Sequence, residues 1–373
     1  MRYSTTGGSR IENAQPLAMS YFLGDMALVH NGNLINCDEL KKEQAGRGQA
    51  HYTSSDSEVL AYQVISESVK FGSIEAAIAN AAGRLKGGYA CLIMSQNKIV
   101  AFRDPHGLKP LVLGKKKGAV IIASESAAIK AVGGETIRDI KPGEIVVIDE
   151  NGVKSSYIES GKRIAHCIFE YIYFARLDSV IDGIPVYDAR MNAGRALARR
   201  SGTAADIVVG VPDSGLAAAA GYAMESGIKL VQAFHKNSYV GRSFIKPSDE
   251  ERKEAVRMKL SVIESAVKGK KVILIDDSIV RGNTMRQIIE MMREAGAVSV
   301  HVRISSPPFL YPCYYGTDVP SAGQLIASKH STEQVCESIG ADTLEYLAID
   351  DFKLMVGDLP ICAACFDNDY PVM

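Results

Sequence analysis

Two fold classes are predicted within one chain: an α+β sandwich over residues 1–158 and a doubly wound parallel α/β sheet over 159–373. Three observations predict them. Short apolar runs separated by tight turns dominate the first half, with helical patterns grouped between them. Strand, loop and helix alternate through the second half. One apolar run, 272–275, ends on Asp276 and Asp277, where α/β proteins place ligand-binding groups.

Taken in order, residues 60–85 carry two helical patterns parted by Phe71, Gly72 and Ser73. Strand-like runs follow at 89–94, 99–102, 119–122 and 144–148, and Asn151-Gly152 supplies a turn. Helices grouped among such strands predict a layered sandwich. In the second half, 206–210 reads as a buried strand leading into Val211, Pro212, Asp213, Ser214, Gly215 and a small-residue helix at 216–224. The run 272–275 leads into a polar loop and a helix on which Met285, Ile288, Ile289 and Met292 share a face, with Gly296 as its stop. A further strand is expected at 298–304.

Composition excludes several function classes. The chain has 373 residues, enough for two domains, with 47% hydrophobic and 23% charged side chains. A net charge of −1 gives no electrostatic footprint for nucleic acid. The basic run Lys115, Lys116, Lys117 lies between glycines and reads as a solvated hairpin turn. No apolar segment is long enough to span a bilayer and no signal-peptide pattern opens the chain, so a cytoplasmic protein is expected. Seven cysteines, an odd number, argue against a disulfide framework.

The loop after residue 275 carries the sharpest chemistry. Asp276 and Asp277 suit ribose hydroxyls, while Ser278, Arg281, Gly282 and Thr284 lead into a helix N-terminus that suits a phosphate. Such a site wants a phosphorylated ribose. It resembles the phosphoribosyl pyrophosphate (PRPP) loop of type I phosphoribosyltransferases. Asp213, Ser214 and Gly215 also open a helix, and by the same resemblance they form the pyrophosphate loop. Read alone, Ser214 is as readily a plain helix N-cap. Resemblance implies a divalent ion shared among PRPP oxygens, Ser214, Asp276 and Asp277, and oxygen ligands of this kind select Mg²⁺. Residues 236–259 read as a polar, glycine- and serine-containing lid rather than an idle insertion. They also resemble the flexible loop of the PRPP amidotransferases, which implies that Lys236 and Arg242 meet phosphates and that Tyr239 and Ile245 wall a passage for ammonia. Tyr3 is expected to line that passage from the other half, and 252–259 reads as a solvated charge run.

Several short blocks of the first half act together. An Asn31-Gly32 pair can aim an amide and a backbone N–H at one point, as an oxyanion hole requires, although alone it reads more often as a hairpin turn. Arg2 suits an α-carboxylate and Asp56 an α-ammonium. With Ser54-Ser-Asp-Ser-Glu58 and Arg103-Asp-Pro-His-Gly107, these blocks resemble the glutaminase domain of the N-terminal-nucleophile amidotransferases. Joined to a phosphoribosyltransferase half, the whole resembles the glutamine PRPP amidotransferases. That resemblance implies a truncated glutaminase sandwich followed by the transferase sheet. It also implies glycosyl transfer from PRPP and glutamine (or ammonia) to phosphoribosylamine, pyrophosphate and glutamate, the first step of purine synthesis. Arg2, Thr5 and Asp56 would bind glutamine, and Asn31 with Gly32 would form the oxyanion hole. A homo-oligomer inhibited by purine nucleotides is expected.

The family's nucleophile is an N-terminal cysteine. No segment here resembles the family's start, and Cys37 and Cys91 lack a free α-amino group, so a misplaced start codon, a split gene or a truncation is expected, with glutaminase activity lost. The competing readings are a non-catalytic PRPP-sensing regulator, an inactive fragment, or a salvage phosphoribosyltransferase. Cys362-Ala-Ala-Cys365 is weak evidence by itself. With Cys167 and Cys313 it resembles the iron–sulfur branch of the family, which implies a structural [4Fe–4S] cluster; four thiolates equally suit a structural zinc. Cys91 is expected in the core, Cys37 just after a strand, and Cys336 on a helix.

Overall fold

A computed structural model of the protein describes residues 8, 10–159, 161–237, 258, 260–317 and 321–373. In the first half β1 (Leu17–Tyr21) and β2 (Gly24–Leu34) form a hairpin, followed by α1 (Cys37–Gly46), α2 (Asp56–Phe71) and α3 (Ile74–Ala81). Ser55 caps α2 by accepting from Ser57 N at 3.2 Å, and Gly72 ends it in the left-handed region. Ser73 at once caps α3. The two helical patterns and their glycine-serine break are as the sequence predicts.

Next come β3 (Gly87–Met94), β4 (Ile99–Arg103), β5 (Val112–Lys116), β6 (Ala119–Ala123), α4 (Ser126–Ala131), β7 (Glu135–Asp139), β8 (Glu144–Asp149) and β9 (Gly152–Tyr157). One antiparallel sheet runs in the order β1-β2-β3-β4-β8-β9 and a second in the order β6-β5-β7. Alternation along the strands sorts the core. Tyr89, Cys91 and Ile93 join Val100, Phe102, Ile145 and Val147 against Leu60, Val64 and Ile78 of the helices. Ala90, Ala101 and Val146 point the other way and meet Leu113 of the smaller sheet and Leu111 and Ile140, which flank its strands. The result is helices, large sheet and small sheet in layers. Lys115 and Lys116 lie within β5, so only Lys117 and Gly118, both with positive φ, make the turn.

The second half opens with β10 (His166–Cys167), a π-helical turn (Glu170–Phe174), the small hairpin β11 (Val180–Ile181) and β12 (Ile184–Pro185), and α5 (Val186–Arg200). Then follow β13 (Ile207–Gly210), α6 (Gly215–Ser226), β14 (Phe234–Lys236), β15 (Leu260–Val262) and α7 (Glu264–Val267). The remaining elements are β16 (Lys271–Asp276), α8 (Asn283–Glu294), β17 (Ser299–Ile304), α9 (Thr332–Ile339), β18 (Thr343–Tyr346), α10 (Phe352–Val356), β19 (Ile361–Cys362) and α11 (Ala364–Asp367).

The sheet β13-β16-β17-β18 is wholly parallel among the described residues. Val208, Ile273 and Ile275 face α5 and α6, packing on Leu197, Ala218 and Tyr222. Ile207, Val272, Leu274, Val300 and Val302 face α8 and α9, packing on Met285, Ile288, Met292 and Val335. Both faces are covered, so these strands are continuous apolar runs rather than alternating ones. Each fully buried aliphatic side chain contributes roughly 1.5–3 kcal/mol.

Candidate active site

β13 and β16 are in register, with Gly210 opposite Ile275, so the loops that leave their carboxyl ends start side by side. Val211 N donates to Ile275 O at 2.9 Å and prolongs the pairing by one residue. A Cβ at Gly215 would lie 2.4 Å from Ile275 O, so only glycine lets the start of α6 approach β16 this closely. Ser214 occupies the N-cap position of α6 but makes no side-chain cap. Its hydroxyl instead donates to Asp277 Oδ1 at 2.5 Å, which corrects the plain-cap reading. Ser278 Oγ donates to Asp277 Oδ2, also at 2.5 Å, and Asp277 N donates to Asp276 Oδ1 at 2.9 Å.

The two carboxylates are 9% and 6% exposed. Burial, and then the adjacent Asp277 charge, pushes the Asp276 carboxyl well above the usual carboxylate range. A buried acidic pair of this kind favours a proton or a cation. One cation near it was not legible in the sequence: Arg190 of α5, buried, lies within electrostatic reach of Asp277. Its guanidinium donates to the carbonyls of Tyr171, Tyr173 and Ala175 at 2.8, 3.0 and 2.7 Å.

Gly282, with φ +82°, precedes α8, and Thr284 is exposed on its first turn. Arg281 is exposed and donates to Gln324 Oε1. Asp213 is exposed and ion-paired with Lys236, the last residue of β14, so the pyrophosphate-loop candidate touches the root of the predicted lid. Arg242, Tyr239 and Ile245, like Arg2, Tyr3, Thr5 and most of 236–259, lie outside the described residues.

Asn31 and Gly32 do not form a hairpin turn. They sit inside β2, opposite Ala90 and Tyr89 of β3. Gly32 has φ +144°, and a Cβ there would lie 2.0 Å from Gly88 O, so the pair of strands closes only on glycine. Asp56, at the first turn of α2, is buried and accepts from Leu34 N at 3.0 Å, with His30 Nδ1 at 3.8 Å. It therefore anchors the end of β2 beside Asn31 and Gly32. Cys91 is fully buried in β3, and Cys37 opens α1 with its thiol pushed up to about 11 by burial and then by Asp56. Neither is a ready nucleophile.

The halves meet through buried charges that the sequence did not reveal. Arg103 of β4 donates to both oxygens of Asp182 at 2.7 and 2.8 Å, and His166 Nδ1 is 2.8 Å from the same carboxylate. Lys109 donates to Glu170 Oε1 at 3.1 Å. Around this junction the four cysteines gather. Cys167 and Cys362 are register partners in the parallel pair β10-β19. Cys365 O accepts from Leu310 N and Tyr311 N, each at 3.1 Å, and so holds the segment leading to Cys313. The Cys365 thiol feels those of Cys313, Cys167 and Cys362. Burial pushes the Cys167 and Cys365 thiols up, and that of Cys362 to about 12. Among the described residues, no three or more His, Cys, Asp or Glu side chains are drawn together as ligands of a single ion. Cys336 is on α9, as expected.

Residues 4–131 match the glutamine amidotransferase domain family and residues 188–305 the phosphoribosyl transferase domain family. The amidophosphoribosyltransferase of Bacillus subtilis is 46% identical over all of this chain and 79% of its own length. That of Archaeoglobus fulgidus is 44% identical over all of this chain and 82% of its own. The solved glutamine PRPP amidotransferase of B. subtilis, in complex with ADP and GMP, superposes with a TM-score of 0.91 at 45% identity, covering 98% of this chain and 82% of that one. A glutamine amidotransferase half, a phosphoribosyltransferase half and relatives of this identity over the whole chain lead to one conclusion: the chain belongs to the amidophosphoribosyltransferase family.

Proposed function

We propose that the chain transfers an amino group, from glutamine or ammonia, to C1 of PRPP, releasing pyrophosphate and giving 5-phosphoribosylamine, the first step of purine synthesis. The observation that carries this reading is the Ser214–Asp277 hydrogen bond, which brings two helix-opening loops together at the carboxyl edge of a parallel sheet. Asp276 and Asp277 accept from the ribose hydroxyls. The loop from Ser278 through Arg281, Gly282 and Thr284 offers amides and hydroxyls to the 5′-phosphate. Asp213, Ser214 and Gly215 hold the pyrophosphate, and Lys236 and Arg242 close on its charge. Ser214, Asp276 and Asp277 would hold Mg²⁺, and the buried, cation-seeking carboxylates fit that role. Mg²⁺, when bound, neutralises the departing pyrophosphate.

In the first half, Arg2, Thr5 and Asp56 grip glutamine while Asn31 and Gly32 supply the oxyanion hole. We place the boundary between the halves at 158/159, just beyond the last strand of the large sheet. Purine nucleotides as inhibitors, a homo-oligomer and a cytoplasmic setting complete the reading. For the first of these, the support is the ADP and GMP bound to the B. subtilis relative. No described helix is long and apolar enough to cross a membrane.

Cys167, Cys313, Cys362 and Cys365 would hold a structural [4Fe–4S] cluster. The thiols of Cys167, Cys362 and Cys365 lie within electrostatic reach of one another and of Cys313, and four thiols fit the cluster as donors. The test is twofold. Protein purified anaerobically is expected to contain iron and sulfide, and one zinc per chain would overturn the cluster. Pyrophosphate release from PRPP with Mg²⁺ and ammonia is expected, and its absence from folded protein would overturn the transferase assignment.

A further inference from the structure

Lys109 is a buried cation that the first half places against the second. Its residue is 4% exposed, and its Nζ reaches Glu170 Oε1 at 3.1 Å. The ammonium also stands 5.1 Å from the centre of the Phe174 ring. Its Cε lies 3.5 Å from where a Cβ on Gly316 would be, three residues beyond Cys313. Glu170, in turn, is three residues beyond Cys167. Lys109 is thus flanked by the two short segments that carry Cys167 and Cys313.

We propose that Lys109 is the countercation of the four-cysteine site: a positioning residue through which the first half balances the charge of the second half's thiolates. The inference rests on the cluster reading given above. Four thiolates around an iron–sulfur cluster leave net negative charge, and a buried charge without a partner is costly. Glu170 adds another negative group beside them, so a single ammonium serves both the carboxylate and the thiolates. In keeping with this, burial acts to lower the Lys109 pKa, but Glu170, then Cys167 and Cys313, outweigh it and the ammonium is held charged. Because residue 109 follows β4 and the Arg103–Asp182 junction, the cluster depends on how the halves are docked.

The alternative is that Lys109 only neutralises Glu170. Four proteins separate the two: wild type, K109R, K109Q and K109Q/E170Q, each purified anaerobically with iron and sulfide supplied. Iron and sulfide content and the loss of visible absorbance in air are measured, with circular dichroism reporting folding. K109R is expected to match wild type. K109Q is expected to lose the cluster about tenfold faster in air, and the double variant, which removes a negative charge along with the ammonium beside the thiolates, to lose it faster than wild type but more slowly than K109Q. A double variant that keeps its cluster as long as wild type would overturn the inference while leaving the cluster intact. If the double variant does not fold, the single variants decide it: K109Q must lose its cluster faster than K109R, and equal lifetimes overturn the inference. Wild-type protein that takes up no iron would overturn the cluster reading, and with it this one.

Discussion

Ser214 and Asp277 are 63 residues apart in sequence, yet the serine hydroxyl donates to the carboxylate at 2.5 Å. One hydrogen bond therefore fixes the distance between the loop that opens α6 and the loop that opens α8. Both loops leave neighbouring parallel strands, so register places them and the hydroxyl locks them. Ser214→Ala is expected to weaken PRPP binding in the presence of Mg²⁺ by roughly 1.5–3 kcal/mol, the worth of a hydrogen bond to a charged group. Titration calorimetry reads this, and unchanged affinity would mean that the loops do not share one ligand.

The Arg103–Asp182 pair is expected to carry much of the docking between the halves. The two side chains are 1% and 9% exposed, and the contact is bidentate. Asp182→Ala leaves a buried guanidinium short of its carboxylate and is expected to destabilise the protein by about 3–5 kcal/mol. Denaturant unfolding measures the loss.

The same pair predicts a pH dependence. Burial raises the Asp182 carboxyl, but the hydrogen bonds from Arg103 and His166 outweigh it, and the pKa is held well below the usual carboxylate range. A carboxylate depressed in the folded state contributes its full stability above its unfolded pKa of about 3.9 and loses it as pH falls towards the folded value. The stability difference between wild type and Asp182→Asn is therefore expected to be constant above about pH 5 and to shrink below about pH 4. Melting curves across that range check it.

Gly32→Ala tests the strand that carries the oxyanion-hole candidate. Its Cβ would collide with Gly88 O at 2.0 Å, and φ is +144°. A loss of roughly 1–3 kcal/mol is expected from the backbone strain alone. A thermal melt unchanged from wild type would contradict this geometry.

Much of the second half was legible because its signals are local. The run 272–275, the aspartate pair and the helical face of Met285, Ile288 and Met292 announce a strand, a loop and a helix without help from elsewhere in the chain. Taken alone, Asn31 and Gly32 suggest a turn, because Asn-Gly most often is one. Here β3 pairs across them and continues β2 to Leu34, a long-range register that no local pattern encodes. The burial and partners of Arg103, Lys109 and Arg190 were not legible for a related reason. Charged residues read as surface until tertiary packing supplies Asp182, Glu170 and a set of backbone carbonyls. Ser214 lay between these cases: its place at the start of a helix was readable, but the partner of its hydroxyl was not.

The most direct test of the account is PRPP binding in the presence of Mg²⁺, measured by calorimetry on wild type and on Asp276→Asn/Asp277→Asn. The substitutions keep the shape of the loop and remove the two charges that make it a site for ribose and a cation. Binding is expected for wild type and a loss of at least about tenfold for the double variant, the effect of removing charged hydrogen-bond partners. Equal affinity in the two proteins would contradict the assignment of this loop, and with it the proposed reaction.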